Sequence, residues 1–154
     1  MEDGRGTDEM TIQYFNTDLD LVSAQDLSQL ADALEARGVS PVGLNRGKDR
    51  LWYSCLEVDE EFINDRQPEQ HIVAMLDVIE SLPPPLHAAW RKCTVREFCI
   101  GYGCGDEPWA FNQGLSNTTL RRIAEVGATL RITIYPERYP EGNKGHDGSG
   151  DRVN

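Results

Sequence analysis

The sequence predicts one mixed domain of strands and helices, and three observations lead there. The chain has 154 residues, near the usual size of a single domain, and 39% hydrophobic residues supply a core without disulfides or metals. Arg96, Phe98, Ile100 and Tyr102 alternate with Glu97, Cys99 and Gly101 at the period of a strand. Ile72, Met75, Leu76, Ile79 and Leu82 keep the i, i+3, i+4, i+7 stripe of an amphipathic helix. Residues 1–10 and 137–154 are rich in Gly, acids and Lys, and are expected to be disordered on either side of a single globular domain at 11–136.

The elements follow in order. "TIQYFNTDLDL" opens the folded part with β-prone residues, and Ser23 is the expected N-cap of a first helix bearing Leu27, Leu30, Ala31 and Leu34, with Gly38 as its stop. "VSPVGL" and "RLWYSCLEV" read as strands joined by a turn from Asn45 to Asp49. The acidic loop "DEEFINDRQPEQ" then leads to the central helix, which ends at Pro83-Pro84-Pro85. A short helix from Leu86 to Lys92 turns Trp90 inward, and the strand through Tyr102 runs into "GYGCGDEPWAF", which reads as a strand-to-strand turn. A last helix from Ser116 through Leu120, Ile123 and Ala124 breaks at Gly127, and "TLRITIY" is the closing strand. Ser23, Leu27, Leu30, Ala31 and Asp32 share their spacing with Ser116, Leu120, Ile123, Ala124 and Glu125, which raises a two-fold internal pseudo-repeat.

Charge excludes some functions. Twenty-six acids against 15 Lys and Arg leave a net charge of −11, which disfavours nucleic acid and anionic membrane surfaces, because both need cations to neutralise phosphates. No apolar run is long enough to cross a bilayer and the N-terminus lacks a hydrophobic signal core, so a cytoplasmic location is expected. Cys55, Cys93, Cys99 and Cys104 are too sparse for a secreted disulfide framework and are expected to be buried free thiols.

The cofactor motifs fail one by one, and no cofactor is expected. Gly101, Gly103 and Gly105 alternate without a G-x-G-x-x-G or a G-K-[ST], and Asp106 and Glu107 would repel a phosphate. Cys99 and Cys104 lie five apart, and the histidines at 71, 87 and 146 supply no second ligand pair for zinc; His71 and His87 read as solvent-exposed helix residues. Asn16, Asp18 and Asp20 begin a calcium-loop pattern, but no Gly follows at the sixth position and Leu27 stands where the bidentate Glu belongs. They read instead as polar side chains on the wet face of a strand. There is no nucleophile elbow and no catalytic residue to name.

"DEPWAF" keeps two readings. Trp109 and Phe111 either cap the core of a sheet or form an aromatic anchor for a partner, flanked by Asp106 and Glu107. The pattern leans to core for Phe111 and to partial exposure for Trp109, whose approach is wet and irregular.

The ending "LSNTTLRRIAEVGATLRITIYP" resembles the C-terminal signature of the bacterial domain-of-unknown-function family 4279, and "EQHIVAMLDVIESL" is similar to that family's central helix. "YFNTDLDLVS" and "GCGDEPWAFNQG" resemble a narrower set of bacterial proteins. The resemblance covers most of 11–136 and implies an α+β domain, with antiparallel strands and helices on one side. It implies no catalytic residue; some relatives look like immunity proteins for bacterial toxins.

The expected function is therefore a small, acidic, non-enzymatic binding protein with a basic protein partner. Its expected contact residues are Glu57, Asp59, Glu60 and Glu61, in an acidic run that continues to Asp65, together with Asp106, Glu107 and Trp109. The alternative, from a different class, is a ligand-binding domain or small enzyme with a cleft near Tyr102, Cys104, Asp106 and Trp109.

Overall fold

The computed structural model describes residues 11–136, and the two ends expected to be disordered lie outside them. Alternation builds the sheet. In β1, Gln13–Ser23, the side chains of Thr17, Leu19, Leu21 and Ser23 are buried on one face, while Asn16, Asp18, Asp20 and Val22 take the other. β2 (Val39–Arg46), β3 (Trp52–Val58), β4 (Val95–Gly103) and β5 (Thr129–Tyr135) complete one five-stranded sheet in the order β2-β3-β1-β4-β5. Leu19 lies opposite Leu56 of β3 and Phe98 of β4, so the apolar rows align across the three central strands.

Four helices add their apolar stripes to that buried face: α1 (Ser28–Glu35), α2 (Pro68–Glu80), α3 (Pro84–Lys92) and α4 (Asn117–Glu125). Leu30 and Leu34 of α1, Ile72, Met75, Leu76 and Ile79 of α2, Trp90 of α3 and Ile123 of α4 join Leu19, Leu56, Phe98 and Ile100 in one core. The fold is α+β.

Several expectations are corrected. The sheet is mostly antiparallel, but β4 and β5 run parallel, because the loop and α4 between them supply the crossover that parallel strands require. Ser23 is not a helix cap; β1 keeps it, paired with Trp52, and its Oγ accepts from Gln25 N at 3.1 Å. The helix starts later, where the Asp26 carboxylate accepts from Ser28 N (2.8 Å) and Oγ (2.6 Å). Ser116, its proposed counterpart, does cap α4, accepting from Thr119 N at 3.2 Å, so the two halves differ in capping as well as in strand direction.

The glycines after Ile100 are not a strand-to-strand turn. Gly101 and Gly103 are buried inside β4, where a Cβ on Gly103 would stand 2.5 Å from the Phe15 ring and one on Gly101 2.8 Å from Asn16 Oδ1. The segment 104–115 then leads to a helix, not a strand. His71 is buried, its Nδ1 2.8 Å from Gln67 O and its ring edge-on to Tyr14. The four thiols are free, but Cys104 is exposed and Cys55 half-buried.

Arg96 ties the helices to the sheet. Its Nη1 donates to the carbonyls of Trp90 (3.2 Å), Arg91 (2.9 Å) and Cys93 (2.7 Å) at the end of α3, and its Nε to Gly127 O (2.9 Å) just past α4. A cation at two helix C-termini meets both the unsatisfied carbonyls and the negative end of each dipole. Gly127, at φ +70°, is needed twice, since a Cβ there would also crowd Arg96 Nη2 at 3.3 Å. Arg96→Ala should cost about 2–4 kcal/mol in a urea titration, and Arg96→Lys should recover little of it, because an ammonium cannot span the two helix ends. A loss below about 0.5 kcal/mol would show that the carbonyls find other donors.

Candidate functional site

β3 and β4 both run antiparallel to β1, so the segments that follow them leave the sheet at the same end. That topology gathers the two acidic runs the sequence holds far apart. After β3, Asp59 opens a single 3-10 turn, Glu60–Phe62, that carries Glu60 and Glu61 into solvent. After β4, the loop 104–115 carries Asp106, Glu107 and Trp109, all exposed. β1 alone separates the two strands, a spacing of about 10 Å.

Named contacts hold both segments. Arg66 donates to Phe15 O, lies 5.5 Å from the centre of the Tyr14 ring, and approaches Glu60 Oε1 at 3.9 Å, which ties the acidic run to β1. The later loop is fixed at three points. Cys104 N donates to Tyr135 O (2.8 Å), Ile12 N donates to Glu107 O (2.9 Å), and Ser116 N donates to Glu69 Oε1 on α2 (2.7 Å). That last bond holds the Glu69 carboxyl below its usual range. Arg122 on α4 reinforces the clasp with paired bonds to Glu80, both 2.9 Å, and one to Asp77 at 2.6 Å.

Aromatic side chains interleave with these acids. Phe15 lies over Gly103 with its ring 6.1 Å from that of Tyr135, and Phe62 covers Gly38, whose φ is +91°. Phe111 meets Tyr102 edge-on at 5.1 Å and remains 40% exposed, so it belongs to the rim and not to the core. Trp109 is 95% exposed, beyond the partial exposure expected for it. Phe15, Phe62 and Tyr135 are also exposed. Apolar rings of this size are usually withdrawn from water, and their grouping at one end of the sheet suits contact with another molecule.

A cavity of 380 Å³ lies behind this rim, lined by Ile12, Tyr102, Cys104, Phe111, Ile132 and Ile134. It takes two residues of the cleft considered from the sequence, Tyr102 and Cys104, and leaves Asp106 and Trp109 outside. The Tyr102 hydroxyl is buried with no hydrogen-bond partner among the described residues.

Glu57 belongs to a different surface, the uncovered face of the sheet. There Asn16 Nδ2 lies 3.0 Å from both Asp18 Oδ1 and Glu57 Oε1, which brings two carboxyls together across β1 and β3. Burial, then hydrogen bonding and repulsion with Glu57, push the Asp18 carboxyl up to about 7. Burial and the nearby carboxylates likewise push the Cys55 thiol up to about 12, which leaves it un-ionised and a poor nucleophile. Arg131 answers part of this charge, 3.0 Å from Asp20 Oδ2 and 3.0 Å from Glu97 Oε1. Asp18 escaped the sequence reading as a perturbed group; only the alternation of Asn16, Asp18 and Asp20 pointed to its face. No cluster of three or more metal-ligating side chains occurs among the described residues, and no described helix is long and apolar enough to cross a membrane.

Comparison with protein-family models, curated proteins and solved structures finds no match to the chain.

Asp18 has a pH signature. A carboxyl whose pKa is raised by folding contributes stability below its unfolded value near 4 and loses it as pH rises through about 7. Asp18→Asn should therefore gain about 1–2 kcal/mol over the parent at pH 8, after discounting for solvent screening, and nothing near pH 4. Urea titrations at both pH values measure this; an equal difference at the two would show that folding does not raise the Asp18 carboxyl.

Proposed function

We propose that this chain is a non-enzymatic binding protein that receives a basic protein partner on the acidic, aromatic end of its sheet. One observation carries the reading: Trp109, 95% exposed, stands beside Asp106 and Glu107 on a loop held in place at both ends and at its middle. An indole of this kind suits the centre of an interface, and the carboxylates at the same end of the sheet, Asp59, Glu60 and Glu61 among them, would steer a cationic partner and reject an anionic one. The net charge of −11 acts in the same direction. The sequence resemblance to family 4279, some of whose members look like toxin-immunity proteins, makes neutralisation of a basic toxin in the bacterial cytoplasm the specific form of the proposal. Glu57, turned to the uncovered face and engaged with Asn16, contributes to the field and not to the contact.

The test separates folding from binding. Trp109→Ala should shift unfolding by less than about 0.5 kcal/mol, since the indole buries almost nothing, yet weaken capture of the partner by about 2 kcal/mol or more. Affinity capture at low and moderate salt from the host lysate, with parent and variant side by side, makes the comparison. Recovery of no protein that distinguishes the two would sink the reading.

A second reading rests on the Tyr102 hydroxyl beside the 380 Å³ cavity. A small apolar ligand with one hydrogen-bond acceptor would satisfy both. On that reading, a ligand found by native mass spectrometry should bind Tyr102→Phe about tenfold more weakly, the worth of one buried hydrogen bond. Equal retention by the variant would leave the hydroxyl without a role.

A further inference from the structure

The two edges of the sheet are built differently. β2, at one edge, carries Pro41, a register shift between Pro41 and Gly43, and Arg46 followed by Lys48. These are the devices by which an edge strand avoids pairing with another chain. β5, at the other edge, has neither the proline nor the register shift: seven residues pair with β4 in continuous register, and its one charge, Arg131, is held by Asp20 and Glu97 on its own sheet.

The main chain of β5 is also presented outward in a definite way. Tyr135 O accepts from Cys104 N, so Tyr135 directs its main-chain groups at β4. By the alternation of a strand, Thr133, Arg131 and Thr129 do the same, and Leu130, Ile132 and Ile134 direct theirs away from it. No strand pairs with those groups among the described residues. The same three residues carry the exposed apolar side chains, Ile132 at 54% and Ile134 at 66%. An edge that offers both open hydrogen-bonding groups and an apolar row is a template for another strand.

We infer that β5 pairs antiparallel with β5 of a second copy, joining two sheets into one. The strand is complementary to itself in the register centred on Ile132. Ile132 then faces Ile132 of the other copy, Leu130 faces Ile134, Arg131 faces Thr133 and Thr129 faces Tyr135. Every outward main-chain group finds a partner, the apolar side chains share one row, and no charge meets its like. Arg131 is already held by Asp20 and Glu97 on its own sheet, so it brings no free charge to the junction. The chain's own C-terminal segment is a poorer occupant: residues 137–154 offer Tyr139 and Val153 against four glycines and Pro140.

The junction shares Tyr135 with the aromatic end and Ile132 and Ile134 with the cavity, but it has the opposite salt dependence from capture of a basic partner. Two copies of net charge −11 repel, so salt should tighten their pairing, whereas it should weaken capture of a basic partner. Sedimentation of the full chain up to about 1 mM should show a monomer–dimer equilibrium, with Ile132→Lys weakening it about 100-fold or more while the monomer stays folded by circular dichroism. Register is tested by cross-linking in a Cys104→Ser background. Ile132→Cys should form an inter-chain disulfide on mild oxidation, and Thr129→Cys should not, because its counterpart would lie about 20 Å away. A monomer at every concentration in about 0.5 M salt would overturn the inference, as would equal cross-linking at both positions. Dimerisation only of a chain ended at Pro136 would overturn it too, by assigning the edge to the C-terminal segment.

Discussion

The guanidinium of Arg96 is the tie on which the arrangement of helices over sheet depends. One half-buried side chain on β4 gathers three carbonyls at the end of α3 and a fourth past α4. Trp90, itself in the core, adds an indole bond to Val126 O at 2.8 Å. Trp90 O also accepts from Cys93 N at 3.1 Å, but Arg96 supplies the donors to the carbonyls of Arg91, Cys93 and Gly127, which would otherwise meet at two helix ends against an apolar sheet. The consequence is a polarity in the molecule. The end where β4 begins is closed by structural hydrogen bonds, and the end where β4 finishes is left to carboxylates and aromatic rings.

Much of the fold was legible because local pattern and tertiary burial agree. The stripe through Ile72, Met75, Leu76 and Ile79 became α2, and the alternation through Phe98, Ile100 and Tyr102 became β4, since each pattern fits only one period. Ser23 misled because a serine before an apolar series resembles a cap, while the strand's pairing with Trp52 claims it first. The direction of β5 was not visible either: strand direction follows from the length and path of the connection, and the sequence of "TLRITIY" is compatible with both. Gly101 and Gly103 looked like turn residues because the rings and amides that need their space, on Phe15 and Asn16, lie far away in sequence.

The site divides in the same way. The acids and the proline before Trp109 pointed only to partial exposure, whereas the structure leaves it almost wholly in solvent and adds that the two acidic runs leave the sheet at one end. Sequence distance hid this, since Asp59 and Asp106 are joined only through the antiparallel pairing of β3 and β4 with β1. The proximity of Asp18 and Glu57 was hidden for the same reason. β1 places Leu19 and Leu21 on the core side of its backbone and Asp18 and Asp20 on the other, so the charge of this strand is kept off the core.

The attachment of the loop 104–115 has a thermodynamic consequence. Its bond to Ile12 at Glu107 divides it into two shorter arcs, and the two ends are already fastened to β5 and to α2. Most of the backbone freedom that such a segment would surrender on meeting another surface is thus lost during folding, not during the encounter. Association there would carry a small conformational entropy penalty, and its free energy would come largely from the desolvation of one indole.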